Sequence, residues 1–422
     1  MKRSVKYIIV LTISLLVVNE NVFGQDSIQA PVNDYLKIAA ENNPGLKSAF
    51  NQYLAALERM PQARTLPDPT IMFSLFISPV ETRLGAQRAG ISLSQAFPWF
   101  GQLKSQEMAA AQTAQAQFET FEEMRNELFF KVRSTYYDLY VLEATIAITG
   151  ENIRLLQSFR ELANVKLESA KGSAVDLLRV EIDLADLENQ LKYLEDSRLP
   201  FQAEFKELLN TENTINIQLP DTLATLVLEK GKNESLDSIN LHNPDLRKFD
   251  FQINALESEI DVARKMGLPS FSLGMSYTIV TKRTDMDVPD NGKDMLTFPQ
   301  VGVRIPIYRK KYQAMISERQ FLKTSVSDQK ENRINQLAVQ LDKTWRDYLD
   351  AERRVGLYLN LTRLANQVLN ILVTQYTSAG SDFEELLRME RQLLRYELEL
   401  EKARADQNTA VAYIYYLTGK HF

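Results

Sequence analysis

The stretch SFSLGMSYTIV, residues 270–280, alternates large apolar side chains with small or polar ones as far as Ile279. A period of two predicts a β-strand with one apolar face. The return strand Leu296–Ile305 repeats the alternation, so residues 270–305 are predicted to form a β-hairpin. This pattern is typical both of a half-buried sheet in a soluble protein and of the wall of a transmembrane barrel.

A second hairpin pattern covers residues 70–97, with strands over Thr70–Ser78 and Gly90–Phe97. Strands of about ten residues, tilted by ~40°, climb about 25 Å, which is the height of an outer-membrane apolar band. Together with the export signal described next, this length favours the membrane interpretation. The side chains predicted to face lipid are Ile71, Phe73, Leu75, Phe271, Leu273 and Ile279.

The N-terminus has the three parts of a secretory signal peptide, predicted over residues 1–24. Basic residues precede an apolar run, Tyr7–Val18, and the small residue Gly24 follows. The apolar run is too short for a spanning helix, and no later run of 18 apolar residues occurs. The sequence therefore predicts an exported protein that is either soluble in the cell envelope or a β-barrel.

Composition excludes several classes of function. The 49 basic and 55 acidic residues give a net charge of −6, which offers no case for nucleic-acid binding. The chain has no cysteine and only two histidines, so thiol catalysis, disulfides, zinc clusters and His-based triads are excluded. We therefore expect no enzymatic activity, no cofactor and no metal site.

One acidic stretch, residues 285–294, resembles a calcium-binding loop. It has Pro289 at the fifth position and Gly292 at the eighth, and no Glu stands at the twelfth. Those positions do not fit the calcium-loop pattern. We interpret the stretch as a solvated external loop between strands.

The chain also repeats itself. The sequence NPGLK at residues 43–47 recurs as NPDLR at residues 243–247, and DLLR at residues 176–179 recurs as ELLR at residues 385–388. A period near 200 residues indicates a duplicated domain rather than a solenoid. The predicted parts of the mature chain are a first repeat, residues 25–212, an inter-repeat linker, residues 213–238, and a second repeat, residues 239–422.

The placement of proline and glycine predicts long helices. All 14 prolines lie outside residues 99–199 and 307–422, and each of these tracts holds three glycines. Inside the first tract, apolar residues recur every seven positions, as in Val132, Leu139 and Ile146, which is typical of supercoiling helices. A helix of about 70 residues is roughly 100 Å long. Helices are predicted over residues 102–170, 174–209, 309–379 and 382–418, with a short helix before each hairpin.

Four strands cannot close a barrel in a membrane, because the smallest outer-membrane barrels have about eight and open edges are not tolerated in lipid. The chain is therefore predicted to share its barrel with copies of itself. A conduit favours twelve strands from three copies, since an eight-stranded barrel is filled by its own side chains.

The signal peptide, the duplicated halves, the element order, the Asn-Pro openings and the Leu-Leu motifs resemble the TolC-like outer-membrane efflux family over essentially the whole mature chain. The segment QAFPWFG, residues 95–101, resembles the strand-to-helix passage of its heavy-metal and multidrug branches. The resemblance implies a mixed, mainly α fold: a homotrimer with a twelve-stranded barrel in the outer membrane and a long α-helical barrel in the periplasm, belted by the linker. It also implies an exit duct for small molecules or metal ions, docked on a periplasmic adaptor and an inner-membrane pump.

Two turns between helices are candidate contacts for the adaptor. In each, a glycine is expected to end one helix as the C′ residue, and Ser or Asp to cap the next. The family's tip motif has glycine where this chain has Ala170 and Ala379, with Gly172 and Gly380 displaced by two and one positions. The predicted docking residues are Ala170, Lys171, Gly172, Ser173, Ala379, Gly380, Ser381 and Asp382.

Four carboxylates are expected near the same end of the chain. In a trimer they make twelve, and rings of carboxylate attract cations. Asp176 and Glu385 are as well explained by helix capping or pairing with arginine, whereas Asp382 lies on the turn and is the preferred pore-lining residue. The predicted aperture residues are Asp176, Asp382, Glu384 and Glu385.

Two other functions remain open from the sequence. A duct of a type I protein-secretion system has the same architecture, with a dedicated exporter in place of the pump. A soluble periplasmic coiled-coil scaffold is the third possibility, and it predicts polar residues on both faces of the strands, which residues 271–279 contradict.

Overall fold

The computed structural model describes residues 26–211, 217–379 and 382–420, so the predicted signal peptide, residues 1–24, lies outside the described residues. The elements of the first repeat are α1 (Asp26–Asn42), α2 (Pro44–Leu57), α3 (Arg59–Arg64), β1 (Thr70–Thr82), β2 (Gly85–Phe97), α4 (Gln102–Glu168) and α5 (Ala174–Leu209). Those of the second are α6 (Lys232–His242), α7 (Pro244–Met266), β3 (Ser270–Thr281), β4 (Met295–Arg304), α8 (Arg309–Ala379) and α9 (Phe383–Thr418).

The structure confirms a mainly helical fold with two β-hairpins and an internal duplication. In both repeats, short helices lead to a hairpin, a helix of about 70 residues and a return helix of 36 residues. One boundary differs from the expected linker, residues 213–238, because α6 already begins at Lys232, after Gly231 as its N-cap.

The two Asn-Pro openings explain why a helix begins at the same place in each repeat. The Asn43 side chain accepts a hydrogen bond from the Leu46 N–H at 3.1 Å. Asn243 accepts from the N–H groups of Asp245 and Leu246, at 3.0 and 3.3 Å. The following proline occupies the first turn, where a missing N–H costs nothing.

The four strands form one antiparallel sheet in the order β1-β2-β3-β4. Its central pair, β2 and β3, joins the two repeats, with Phe97 opposite Phe271 and Ile91 opposite Tyr277. Within the described residues, the outer edges of β1 and β4 have no strand partner.

Packing divides the chain differently from the duplication. One compact unit, here the helical unit, holds residues 26–42, 131–227 and 348–409; the other, the sheet unit, holds residues 43–130, 228–347 and 410–420, in each case as far as they are described. Each unit therefore combines segments of both repeats. None of the described helices is apolar over a length that would cross a bilayer.

The core of the helical unit follows the seven-residue spacing predicted from the sequence. Val132, Leu139 and Ile146 are all buried. The buried cluster nearest the helix turns consists of Ile153, Leu156, Phe159, Ala163, Val180, Leu184, Leu187, Ala365, Leu369, Tyr376, Phe383, Leu386, Leu387 and Leu393.

Residues 217–227 of the linker belong to the helical unit and are held within it by hydrogen bonds. The Tyr136 hydroxyl donates to the Gln218 carbonyl at 3.0 Å, and the Leu223 N–H donates to the Tyr140 hydroxyl at 2.9 Å. Asn408 accepts from the Leu226 N–H at 2.7 Å. Both tyrosines therefore satisfy backbone groups of an irregular segment.

Candidate functional site: the sheet faces and the helix turns

The register of the sheet places the predicted wall residues on one face. Ile71 lies opposite Leu93, which lies opposite Met275, and Leu75 lies opposite Ala89, which lies opposite Ile279. Directly opposed residues in an antiparallel sheet share a face. The same face carries Ile71, Phe73, Leu75, Phe271, Leu273 and Ile279, whose exposed fractions run from 37 % at Phe271 to 82 % at Leu75.

The opposite face carries small and polar residues. Ser74 lies opposite Gly90, which lies opposite Thr278, and Ser94 lies opposite Gly274. A Cβ on Gly274 would lie 2.8 Å from the Leu93 carbonyl oxygen, so only glycine fits between these strands. The sheet thus exposes a continuous apolar face, which soluble monomers rarely do.

The first helix turn differs in detail from the sequence prediction. Ala170, not Gly172, is the C′ residue of α4, in the left-handed region at φ 56°. The Lys171 N–H donates to the Lys166 carbonyl at 2.8 Å and the Ala170 N–H to the Leu167 carbonyl at 3.0 Å, which is the Schellman pattern. Gly172 is required for another reason: a Cβ there would lie 2.9 Å from the Lys166 Cβ.

Both turns place a capping side chain before the return helix. Ser173 accepts a hydrogen bond from the Val175 N–H at 3.1 Å, which confirms it as the N-cap of α5. Asp382 accepts from the Glu384 N–H at 3.0 Å. Asp382, which the sequence analysis prefers as a pore-lining residue, is thus the cap of α9 in the structure. Ala379 is the last residue of α8, and Gly380 and Ser381 lie outside the described residues.

The remaining predicted aperture carboxylates lie in the first turns of α5 and α9, two of them beside arginines. Arg179 contacts Glu384 at 3.0 Å. The Arg388 guanidinium donates to Glu385 at 2.9 Å and lowers the pKa of that carboxyl. Both pairs are solvent-exposed, so they add little to stability. Asp176 lies in the first turn of α5 and bears on the pKa of Tyr376, which is raised first by burial and then by that carboxylate.

Behind the turns lies a contact that sequence reasoning missed. The Lys166 ammonium donates to the Tyr376 carbonyl and lies 4.3 Å from the centroid of its ring. Tyr376 also packs against Phe383, with ring centroids 4.9 Å apart. This contact joins the end of α4 to the end of α8 and the start of α9, so both turns pack on the same group of side chains.

A second missed residue is Glu390 on α9, which is fully buried. Burial raises the pKa of its carboxyl to about 7, against the opposing effect of the neighbouring Asn152 amide. The sequence contains a signal for this burial. Glu390 stands seven residues after Phe383, and Leu386 and Leu387 lie between them at the three- and four-residue spacing of the same apolar stripe. A charged residue in such a stripe is expected to be buried.

The acidic loop between β3 and β4 does not gather its carboxylates. Asp285 is paired with Arg283, and Asp294 accepts from the Val280 N–H at 2.9 Å. The side chain of Asn291 accepts from the Arg283 N–H at 2.7 Å. No group of three or more potential metal ligands occurs within the part of the chain that the structure describes.

The model of the outer membrane efflux protein family matches residues 35–211 and again residues 236–420. The chain belongs to this family, and the two matches coincide with the internal duplication. Proteins of the family are channels of the outer membrane and not enzymes, which confirms the resemblance and the location predicted from the sequence. None of the curated proteins gives a significant match.

Solved structures of three membrane proteins share the fold. The channel OprN is 16 % identical, with a TM-score of 0.74, covering 93 % of this chain and 90 % of its own. CusC is 15 % identical, with a TM-score of 0.76 and 96 % coverage of both chains. VceC from Vibrio cholerae is 14 % identical, with a TM-score of 0.73, covering 94 % of this chain and 98 % of its own. At these identities the likeness is one of fold.

Proposed function

We propose that three copies of this chain form the exit duct of a tripartite efflux system, which passes small molecules or metal ions from an inner-membrane pump and a periplasmic adaptor to the exterior. The observation that carries the proposal is the open four-stranded sheet with one exposed apolar face. An apolar face suits lipid, but the open edges do not, because backbone groups facing lipid must be paired.

The edges are complementary to each other. Each strand runs antiparallel to its neighbour across the order β1-β2-β3-β4, so β1 and β4 also run in opposite directions. The edge strand β4 of one copy is therefore oriented to pair antiparallel with β1 of the next. This head-to-tail interface closes as a ring, and three copies give twelve strands around a lumen lined by the small, polar face.

The helical unit supports the same assembly. Leu357, Leu364 and Ile371 stand at seven-residue spacing on α8, and each is more than 40 % exposed. Val175, Leu178 and Ile182 form a second exposed row on α5. Apolar rows at this spacing are typical of helices that pack against other helices, and neighbouring copies supply such helices.

The turns at Ala170–Ser173 and around Asp382 are the proposed adaptor contacts. Both turns are exposed, and exposed positions on the return helices follow them. Both also lie next to the contact between Lys166 and Tyr376. Photo-crosslinkers at Lys171 should capture the adaptor in whole cells, whereas a crosslinker at Lys343, on the helix surface of the sheet unit, should not. Capture at both positions or at neither would contradict docking at the turns.

The assembly is tested by mass measurement in mild detergent. We expect three copies per particle and, after reconstitution into a planar bilayer, a pore of low resting conductance. A stable monomer without conductance would refute the duct. Deletion of the gene distinguishes efflux from protein secretion. Increased sensitivity to toxic small molecules or metals supports efflux. Loss of a secreted protein alone supports the secretion alternative.

A further inference from the structure

One end of the sheet carries an aromatic and basic surface that the duct itself does not use. At this end Phe97 lies opposite Phe271, which lies opposite Val303. The Trp99 ring stacks on Phe271 with centroids 6.0 Å apart, and Phe100 lies 6.4 Å from the same ring. We call residues 97–104 and 304–311, where the strands pass into the long helices, the junction surface.

Two aromatic side chains of the junction surface are largely exposed. Phe100 is 79 % exposed and Tyr308 is 77 % exposed. Aromatic residues concentrate at the level of lipid headgroups, where one part of the ring meets the acyl chains and the other meets water. The position of these rings, just beyond the apolar face of the sheet, is that level in a membrane-inserted sheet.

Charge distinguishes this end of the sheet from the other. Residues 304–311 contain four basic residues, Arg304, Arg309, Lys310 and Lys311, and no acidic one, whereas the loop of residues 282–294 contains three basic and four acidic residues. All four cations are exposed. Among the described residues none of these side chains pairs with a carboxylate; the Arg309 guanidinium donates to the Gly267 carbonyl, at 3.4 Å.

Most of these cations lie at the N-terminal end of a helix. Three of them stand in the first turn of α8, which contains no acidic residue, and positive charge at a helix N-terminus opposes the helix dipole. Their placement is therefore unfavourable for the helix by itself. An anionic partner at the junction surface removes this cost.

We propose that the junction surface binds anionic phospholipid headgroups, with Arg309, Lys310 and Lys311 on the lipid phosphates and Phe100 and Tyr308 among the glycerol and upper acyl groups. The inference rests on the proposed insertion of the sheet in the membrane. Each cation near an anionic bilayer surface favours binding about fivefold, equivalent to ~1 kcal/mol. The preference is electrostatic and falls as salt is raised.

The test uses tryptophan quenching in the full chain. With Trp345→Phe, Trp99 at the junction becomes the only tryptophan, since the chain has two. This variant is reconstituted into phosphatidylcholine bilayers containing brominated phosphatidylglycerol or brominated phosphatidylcholine. We expect phosphatidylglycerol to be preferred, the preference to fall about fivefold in Lys310→Gln, and to fall about 25-fold in K310Q/K311Q, which retains Arg309. The matched control K343Q/K402Q removes two exposed lysines elsewhere on the helices and should retain the preference.

Each contrary outcome is distinguishable. Equal quenching by both lipids in a properly inserted protein, or the same loss in the control as in K310Q/K311Q, overturns the lipid site alone. Abolition of the preference by inorganic phosphate at matched ionic strength assigns the cations to a free anion and also overturns it. Failure of the protein to float with phosphatidylcholine vesicles overturns the membrane insertion of the proposed function and the lipid site with it.

Discussion

The buried cluster near the turns of the helical unit contrasts with the exposed apolar face of the sheet in the sheet unit. In the helical unit, Leu156, Val180 and Leu386 are fully buried, and the exposed turns carry charge. In the sheet unit, Phe73 and Leu75 are 76 % and 82 % exposed, while serine and glycine occupy the other face. The comparison shows that exposure within one chain separates a packed core from a surface that, in the assembly we propose, faces lipid.

The largest effect is expected from a substitution that places a charge on the apolar face of the sheet. Leu273→Arg should cost about 2–4 kcal/mol if Leu273 lies near the bilayer midplane and less toward the interface, because the charge must leave water. The yield of the proposed trimer in detergent and its unfolding midpoint measure this. Gln300→Arg is the matched control, since Gln300 lies opposite Gly274 on the small-residue face, and we expect a change below about 1 kcal/mol. Equal losses in both variants would show that the faces are assigned wrongly.

The next effect concerns the charged residue inside the helical unit. Glu390 has a pKa raised to about 7 from 4.5, so the folded state holds its proton more tightly than the unfolded state. Its ionisation therefore costs stability, and the cost grows as the pH rises from 4.5 to 7 and is complete above 7. Glu390→Gln should raise stability by about 1–3 kcal/mol at pH 8 and change little at pH 4.

The measurement for Glu390→Gln is the thermal midpoint in detergent across that pH range. Glu385→Gln is the control: its pKa is lowered by Arg388 in an exposed pair, so its removal should produce no gain at high pH. A gain for Glu390→Gln that is independent of pH would rule out ionisation as its cause.

A smaller effect is expected at the first turn. Ala170 adopts φ 56°, a conformation that costs a residue with a Cβ about 1–2 kcal/mol. Ala170→Gly relieves this cost but adds freedom to the unfolded chain, worth about 0.4–1 kcal/mol, so a net gain of about 0.5–1 kcal/mol should appear in the unfolding midpoint. Ala144→Gly, within α4, should instead destabilise by about 1 kcal/mol. A loss in both variants would contradict the left-handed position.

The smallest effect on stability is expected at the second turn, where ion selectivity gives a separate functional measurement. Asn caps a helix about as well as Asp, so Asp382→Asn should leave the unfolding midpoint unchanged. We expect the pore to prefer cations and the preference to weaken in this variant, because three carboxylates leave one mouth. Unchanged ion selectivity in planar-bilayer recordings would restrict Asp382 to its capping role.

Local features of this protein were predictable because they depend on local backbone geometry. A period of two defined the apolar face around Leu273, and a period of seven defined the core row containing Leu139. The Asn-Pro openings fixed two helix starts, since both the cap and the proline act within four residues. Ser173 was predictable as a cap for the same reason.

Other features depend on contacts between residues distant in sequence, or on a choice between neighbouring glycine and alanine. Gly172 was expected at the left-handed position. In the structure Ala170 has that conformation, and Gly172 instead lies where the chain passes close to Lys166. The contact of Lys166 with Tyr376 spans 210 positions, and no local pattern indicates it.

The sequence by itself determined the duplication, the order of elements and which side chains share a face, because each follows from spacing along the backbone. Only the tertiary structure decided that β2 pairs with β3 across the two repeats and that each compact unit mixes both repeats. These outcomes depend on which segments, distant in sequence, pack together and pair their backbone groups. The spacing of residues along one strand or helix does not specify the segment with which it pairs.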